Sequence, residues 1–126
     1  MANWSLLVAA TLLFFCGVVH SWLGEIRLIG PLLAPETRSG PLARSEFSRR
    51  VLRFAWHVTS IAWWGTGAIL AAIALAPPAD IQRPILIATA VTYIVTGILV
   101  LICGRGRHLA WPIFLAVGAL CLAPLI

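Results

Sequence analysis

Four apolar runs, each about the length of a membrane-spanning helix, alternate with short polar segments along the chain. A helix of about 20 residues covers the roughly 30 Å hydrocarbon core of a bilayer. The pattern therefore predicts an all-α integral membrane protein, a single domain of four transmembrane helices in an up-down bundle. The predicted spans cover residues 4-23, 51-76, 85-103 and 109-126, and a polar loop covers residues 24-50.

The first part of that loop, Gly24 to Leu33, mixes charged and apolar residues. It can extend the first helix or lie as a separate segment in the headgroup plane, and the pattern leaves both open. Pro35 and Pro41 mark the irregular part of the loop, and Ser45 can begin the second helix.

Composition supports the bilayer as the solvent for much of the surface. Of the 126 residues, 61% are hydrophobic and 10% are charged, far less charge than a soluble domain carries. The apolar N-terminal run has no preceding basic residue and no small-residue cleavage site, which predicts a retained helix rather than a signal peptide. The three cysteines form no CxxC pair, so no thiolate metal motif is predicted.

The distribution of arginines predicts the orientation. The net charge is +5 and all nine basic residues are arginine; seven of them lie in the first loop or the third connection, and Arg53 lies in the first turn after that loop. The positive-inside rule places these two connections in the cytoplasm and both termini on the periplasmic or exterior side. We therefore expect a multi-pass protein of the inner (plasma) membrane, with anionic lipid headgroups rather than nucleic acid as partners.

This topology brings the three histidines, His20, His57 and His108, to the cytoplasmic end of the bundle. Neutral imidazole is the commonest metal ligand in proteins. Three histidines would suit a transition metal ion, and two would suit the axial positions of a haem; the pattern does not choose between these cofactors. The competing interpretation is that the histidines only bond to carbonyls or headgroups.

The run from His20 to Gly24 resembles the His…Trp…Gly pattern on early helices of small copper-resistance or haem-associated membrane proteins. The resemblance covers five residues, and no functional residue carries over from it.

Two sets of charged residues surround the histidines. If the first helix continues, Glu25 becomes partly buried and needs a partner such as Arg53 or His57, either as a structural ion pair or as a carboxylate that couples to a proton or cation. Arg49, Arg50 and Arg53 are predicted to contact lipid headgroups, because arginine matches phosphate oxygens. A phosphate-bearing substrate is the alternative.

Hydroxyl residues mark one face of the third span. Thr89, Thr92 and Thr96 share that face with Tyr93 and Gly97. Small and hydroxyl residues let membrane helices approach closely, so this face predicts either a packing seam or the lining of a pore.

Three functions remain open at this point. The first is a membrane protein that binds a metal ion or haem through its histidines, the second an oligomeric channel or transporter, and the third a non-catalytic accessory subunit. No nucleophile–base pair or phosphate loop indicates an enzyme, and no catalytic residue is predicted. Four helices of this length bury little interior, which favours a homo-oligomer or a subunit of a larger membrane complex.

Overall fold

The computed structural model describes residues 2–77, 79–103 and 105–126, and every regular element in these ranges is helical. The all-α prediction is therefore confirmed for this part of the chain. The helices are α1 (Trp4–Gly24), α2 (Gly30–Leu33), α3 (Gly40–Arg44), α4 (Glu46–Leu75), α5 (Gln82–Cys103) and α6 (Ala110–Leu122).

Three helical segments are long and apolar enough to cross a membrane. They are Trp4–Leu33, Glu46–Leu75 and Gln82–Ile102, and each contains an 18-residue stretch whose mean hydropathy is 2.1, 1.6 and 2.6, respectively. The predicted fourth span corresponds to a shorter apolar helix, Ala110–Leu125. By length and composition the chain is a membrane protein with three such helices, and the fourth crossing stays a prediction.

The segment after Gly24 extends the first helix instead of leaving it. A single π-helical turn, Glu25–Ile29, joins α1 to α2, and the Gly30 N–H donates to the Glu25 carbonyl five residues back. Pro31 has no N–H to donate, and its ring would collide with the carbonyl of Arg27 in a regular α-helix. The wider π turn accommodates this proline without breaking the helix.

The second long helix begins and ends at residues typical of helix termini. The Ser45 hydroxyl accepts a hydrogen bond from the Ser48 N–H at 3.1 Å, which satisfies a free donor of the first turn. Ala76 is extended, as expected for a residue before Pro77. Because α4 begins at Glu46, the arginines of its first turns are helical.

The first helix is the centre of the packing. It contacts α4 on one side and α6 on another, while α5 packs on α6. Leu13 and Val117 are fully buried in the core between α1 and α6. The Asn3 N–H donates to the Ala74 carbonyl at 2.9 Å, which joins the start of α1 to the end of α4. The opposite end, where α2 ends and α4 begins, is called the arginine-rich end below.

Candidate functional site

An ion pair and a histidine join the first helix to α4 at the arginine-rich end. The Glu25 Oε1 atom lies 2.9 Å from Arg53 Nη2, and its Oε2 atom lies 3.3 Å from His57 Nε2. The Glu25 side chain is 34% exposed and that of Arg53 is 51% exposed. Both residues suggested by the sequence as partners of Glu25 therefore contact its carboxylate.

Helical geometry explains why these groups meet. Arg53 and His57 are four residues apart on α4, so they lie on the same face one turn apart. Glu25 reaches them because the helix continues past Gly24 into the π turn. A chain that left the helix at Gly24 would carry the carboxylate away from α4.

The contacts continue from His57 toward the interior. Its Nδ1 atom lies 3.0 Å from the Ser21 hydroxyl. That hydroxyl donates to the Ser60 hydroxyl at 2.9 Å, and Ser60 is fully buried. Arg53, Glu25, His57, Ser21 and Ser60 thus form one connected set of polar side chains, here named the Glu25 network.

His20 lies beside this network but has different neighbours. Its ring stacks on Trp56 with centroids 4.2 Å apart and meets the edge of Trp63 at 4.8 Å. The Trp56 indole N–H donates to the His20 backbone carbonyl at 3.0 Å. The His20 Nε2 atom is buried and has no hydrogen-bond partner among the described residues.

The third histidine is exposed and local in its contacts. His108 precedes α6, and its Nδ1 atom accepts a hydrogen bond from the Ala110 N–H at 3.2 Å. Within the described ranges, no three His, Cys, Asp or Glu side chains come together as a possible metal site. Binding of a metal or haem by His20, His57 and His108 stays a prediction.

The other two arginines of the α4 start lie next to the network. Arg49 is half-buried, and its Nη1 atom donates to the Leu42 carbonyl at 2.9 Å. Arg50 forms an exposed ion pair with Glu46, one turn earlier on the same helix. Both guanidiniums are therefore oriented by contacts within the protein.

The threonines of α5 bond to their own helix. The hydroxyls of Thr89, Thr92 and Thr96 each donate to the carbonyl four residues earlier, at 2.7 to 2.8 Å. Their neighbours Tyr93 and Gly97 are buried against α6, where Tyr93 lies 5.8 Å from the Phe114 ring. The packing of this face relies on Tyr93 and Gly97, and a pore along the threonines stays a prediction.

Sequence reasoning missed two members of the network. Ser21 and Ser60 are common, uncharged residues, and neither was singled out. The available signal was position: Ser60 follows His57 by three residues on one helix face, and Ser21 precedes Glu25 by four.

Comparison of the chain with protein-family models, curated proteins and solved structures finds no match. Function is therefore inferred from the geometry of the site.

Proposed function

We propose that the chain is a multi-pass inner-membrane protein with four crossings, with both arginine-rich connections in the cytoplasm. The three long apolar helices and the shorter α6 support four crossings. The orientation is supported by seven of the nine arginines in these two connections and by Arg53 just after the first of them. In this arrangement both termini face the periplasm or exterior, and the Glu25 network lies at the cytoplasmic end.

We propose that this protein exchanges a proton or a small cation at the Glu25 network. The observation that carries the proposal is the contact of one carboxylate with both His57 and Arg53, continued through Ser21 to buried Ser60. Ionisable residues at membrane depth are costly and are found in proton relays and ion pathways. A purely apolar interface would join the two helices without that cost.

The chemistry of the network suits proton transfer. A neutral imidazole donates from one ring nitrogen and accepts at the other, and a hydroxyl does both. A proton bound at Glu25 can therefore pass to His57 Nε2, while Nδ1 gives its proton to the Ser21 hydroxyl. Ser21 in turn gives its own proton to the Ser60 hydroxyl, which passes its own proton on. Arg53 keeps one positive charge 2.9 Å from the carboxylate throughout.

Depth supports the same function. Glu25 lies 21 residues after Trp4, a helical rise of about 32 Å, which matches the hydrocarbon thickness of roughly 30 Å. His57 and Ser60 lie about 26 Å and 21 Å from the level of Ala74 by the same rise. The network therefore begins at the cytoplasmic boundary and leads inward.

Proton flux into proteoliposomes tests this proposal. Vesicles with a trapped pH-sensitive dye and an imposed gradient are expected to show flux above protein-free vesicles. Glu25→Gln keeps the shape of the side chain but removes its charge, and should lower the rate by at least about tenfold. Repeating the assay with alkali cations identifies the transported ion.

The matched control is Glu46→Gln, which removes a carboxylate from the exposed pair with Arg50. It should leave the flux unchanged. Flux equal to that of protein-free vesicles, or an equal rate for Glu25→Gln and wild type, contradicts the proposal.

Binding of a transition metal ion or a haem is the second candidate function, and one observation favours it. A buried polar atom without a partner is costly, and His20 Nε2 is buried with no hydrogen-bond partner in the part of the chain that the structure describes. It would be the ligand atom on this chain. Because this atom is buried and no three ligand side chains meet within the described residues, binding would require the rings of Trp56 and Trp63 to move away from His20.

An absorption spectrum and elemental analysis of the purified protein test the second candidate. We expect bound metal or a Soret band in the wild type, and its loss in His20→Phe. Phenylalanine retains an aromatic ring against Trp56 and Trp63 but removes the ligand nitrogen, so helicity should be preserved. A folded, colourless and metal-free wild type refutes this candidate.

We further propose that the chain works as a homo-oligomer or as a subunit of a larger membrane complex. Apolar side chains such as Phe14, Ile61 and Leu99 remain 55% to 59% exposed on the long helices, and they can contact lipid or other chains. If flux and metal are both absent, the Glu25 network acts only to join the helices. The accessory-subunit function then becomes the proposal, and co-purification of a partner tests it.

A further inference from the structure

A cleft of about 470 Å³ lies between the end of α2 and the first turns of α4. We infer that this cleft binds the phosphodiester headgroup of an anionic phospholipid. The lining side chains are three arginines, one carboxylate and two apolar groups: Arg49, Arg50, Arg53, Glu46, Leu33 and Phe54.

The arginines retain donors for an anion. A guanidinium carries five N–H groups arranged as a planar fork that matches phosphate oxygens. Each of the three uses one nitrogen in a described contact: Arg49 with the Leu42 carbonyl, Arg50 with Glu46 and Arg53 with Glu25. These contacts orient the guanidiniums and leave most of their N–H groups for a ligand.

The charges in and beside the cleft favour one anionic group. Three guanidiniums face the carboxylates of Glu46 and Glu25, so one positive charge has no carboxylate partner among the described residues. A phosphodiester carries a single negative charge. The zwitterionic headgroup of phosphatidylcholine would bring its own cation beside the arginines, whereas phosphatidylglycerol would not.

The apolar part of the lining points to a lipid rather than free phosphate. Phe54 is 65% exposed beside the arginines, and Leu33 also lines the cleft and is 8% exposed. Phe47, on the turn before Arg50, is 76% exposed. Exposed phenylalanine rings beside the guanidiniums offer apolar surface next to cationic groups, which suits a ligand with both a phosphate and acyl chains.

Native mass spectrometry of the full chain, released from micelles with equal phosphatidylglycerol and phosphatidylcholine, tests this inference. We expect bound phosphatidylglycerol to exceed phosphatidylcholine in the wild type. In the double variant R49Q/R50Q the preference should fall about 30-fold, since each arginine near an anionic surface contributes about fivefold. Arg53 is left intact because it also pairs with Glu25. The double variant therefore tests lipid binding in the cleft without changing the Glu25 network, which the proton-flux assay tests.

The control R83Q/R107Q removes two exposed arginines outside the cleft and should keep the preference. Equal binding of the two lipids by the wild type, or equal loss in both double variants, overturns the inference. Millimolar inorganic phosphate distinguishes the source of the anion. If it displaces phosphatidylglycerol, the cleft is a phosphate site and not a lipid site.

Discussion

A Gly24→Leu variant is expected to lose about 2–3 kcal/mol of unfolding free energy. A Cβ atom at this position would overlap the indole of Trp56. The indole cannot move aside without loss, because it donates to the His20 carbonyl and stacks on the His20 ring. The side chain would therefore force α1 away from α4 and separate Glu25 from Arg53 and His57.

Unfolding in mixed micelles with increasing SDS, followed by circular dichroism, measures this loss. Gly65→Leu is the matched control, since a Cβ atom there meets nothing within 4 Å. That variant should be as stable as wild type or gain up to about 1 kcal/mol from helix propensity. Equal stability of the two leucine variants would show that α1 and α4 do not approach closely at Gly24.

A Phe114→Ala variant is expected to lose about 3 kcal/mol. Phe114 is 2% exposed, and its ring lies 5.1 Å from Trp63 and 5.8 Å from Tyr93. It therefore joins side chains of α4, α5 and α6, and alanine would leave a cavity between them. The loss lies at the lower end of the range for soluble cores, because lipid replaces water as the reference solvent.

The same SDS titration tests this expectation, with Phe47→Ala as its control. Phe47 is 76% exposed, so its truncation removes the same atoms without leaving a cavity. We expect at most about 0.5 kcal/mol of change for Phe47→Ala. A similar small change for Phe114→Ala would mean that the aromatic cluster does not hold the helices together.

The helices were predictable because hydrophobicity and helix breakers act locally. The runs ending near Ala76 and Cys103 follow from apolar length and from Pro77 and the glycines of the next turn. Whether the segment from Gly24 to Leu33 continues the first helix was not predictable, since Pro31 is normally a helix breaker. Continuation depends on the π turn, which a local pattern does not reveal.

Part of the site was also predictable from local requirements of the sequence. A carboxylate next to an apolar helix requires a counterion, so Arg53 and His57 follow as partners for Glu25 once the helix is taken to continue. Whether three histidines converge depends on helix rotation and packing. Stacking of His20 on Trp56 and the local bond of His108 are such tertiary outcomes, and no sequence spacing encodes them.

Because the two longest helices exceed the thickness of the hydrocarbon core, the thickness of the bilayer determines the environment of the Glu25 carboxylate. Trp4–Leu33 and Glu46–Leu75 each contain 30 residues, which is about 45 Å of helix. The hydrogen bond between Asn3 and Ala74 aligns one end of the first helix with one end of the second. Their excess of about 15 Å over the hydrocarbon must project from the other side. Longer acyl chains would draw Glu25 into hydrocarbon, and shorter ones would leave it hydrated. The lipid chain length of the host membrane thus sets how readily this carboxylate meets water.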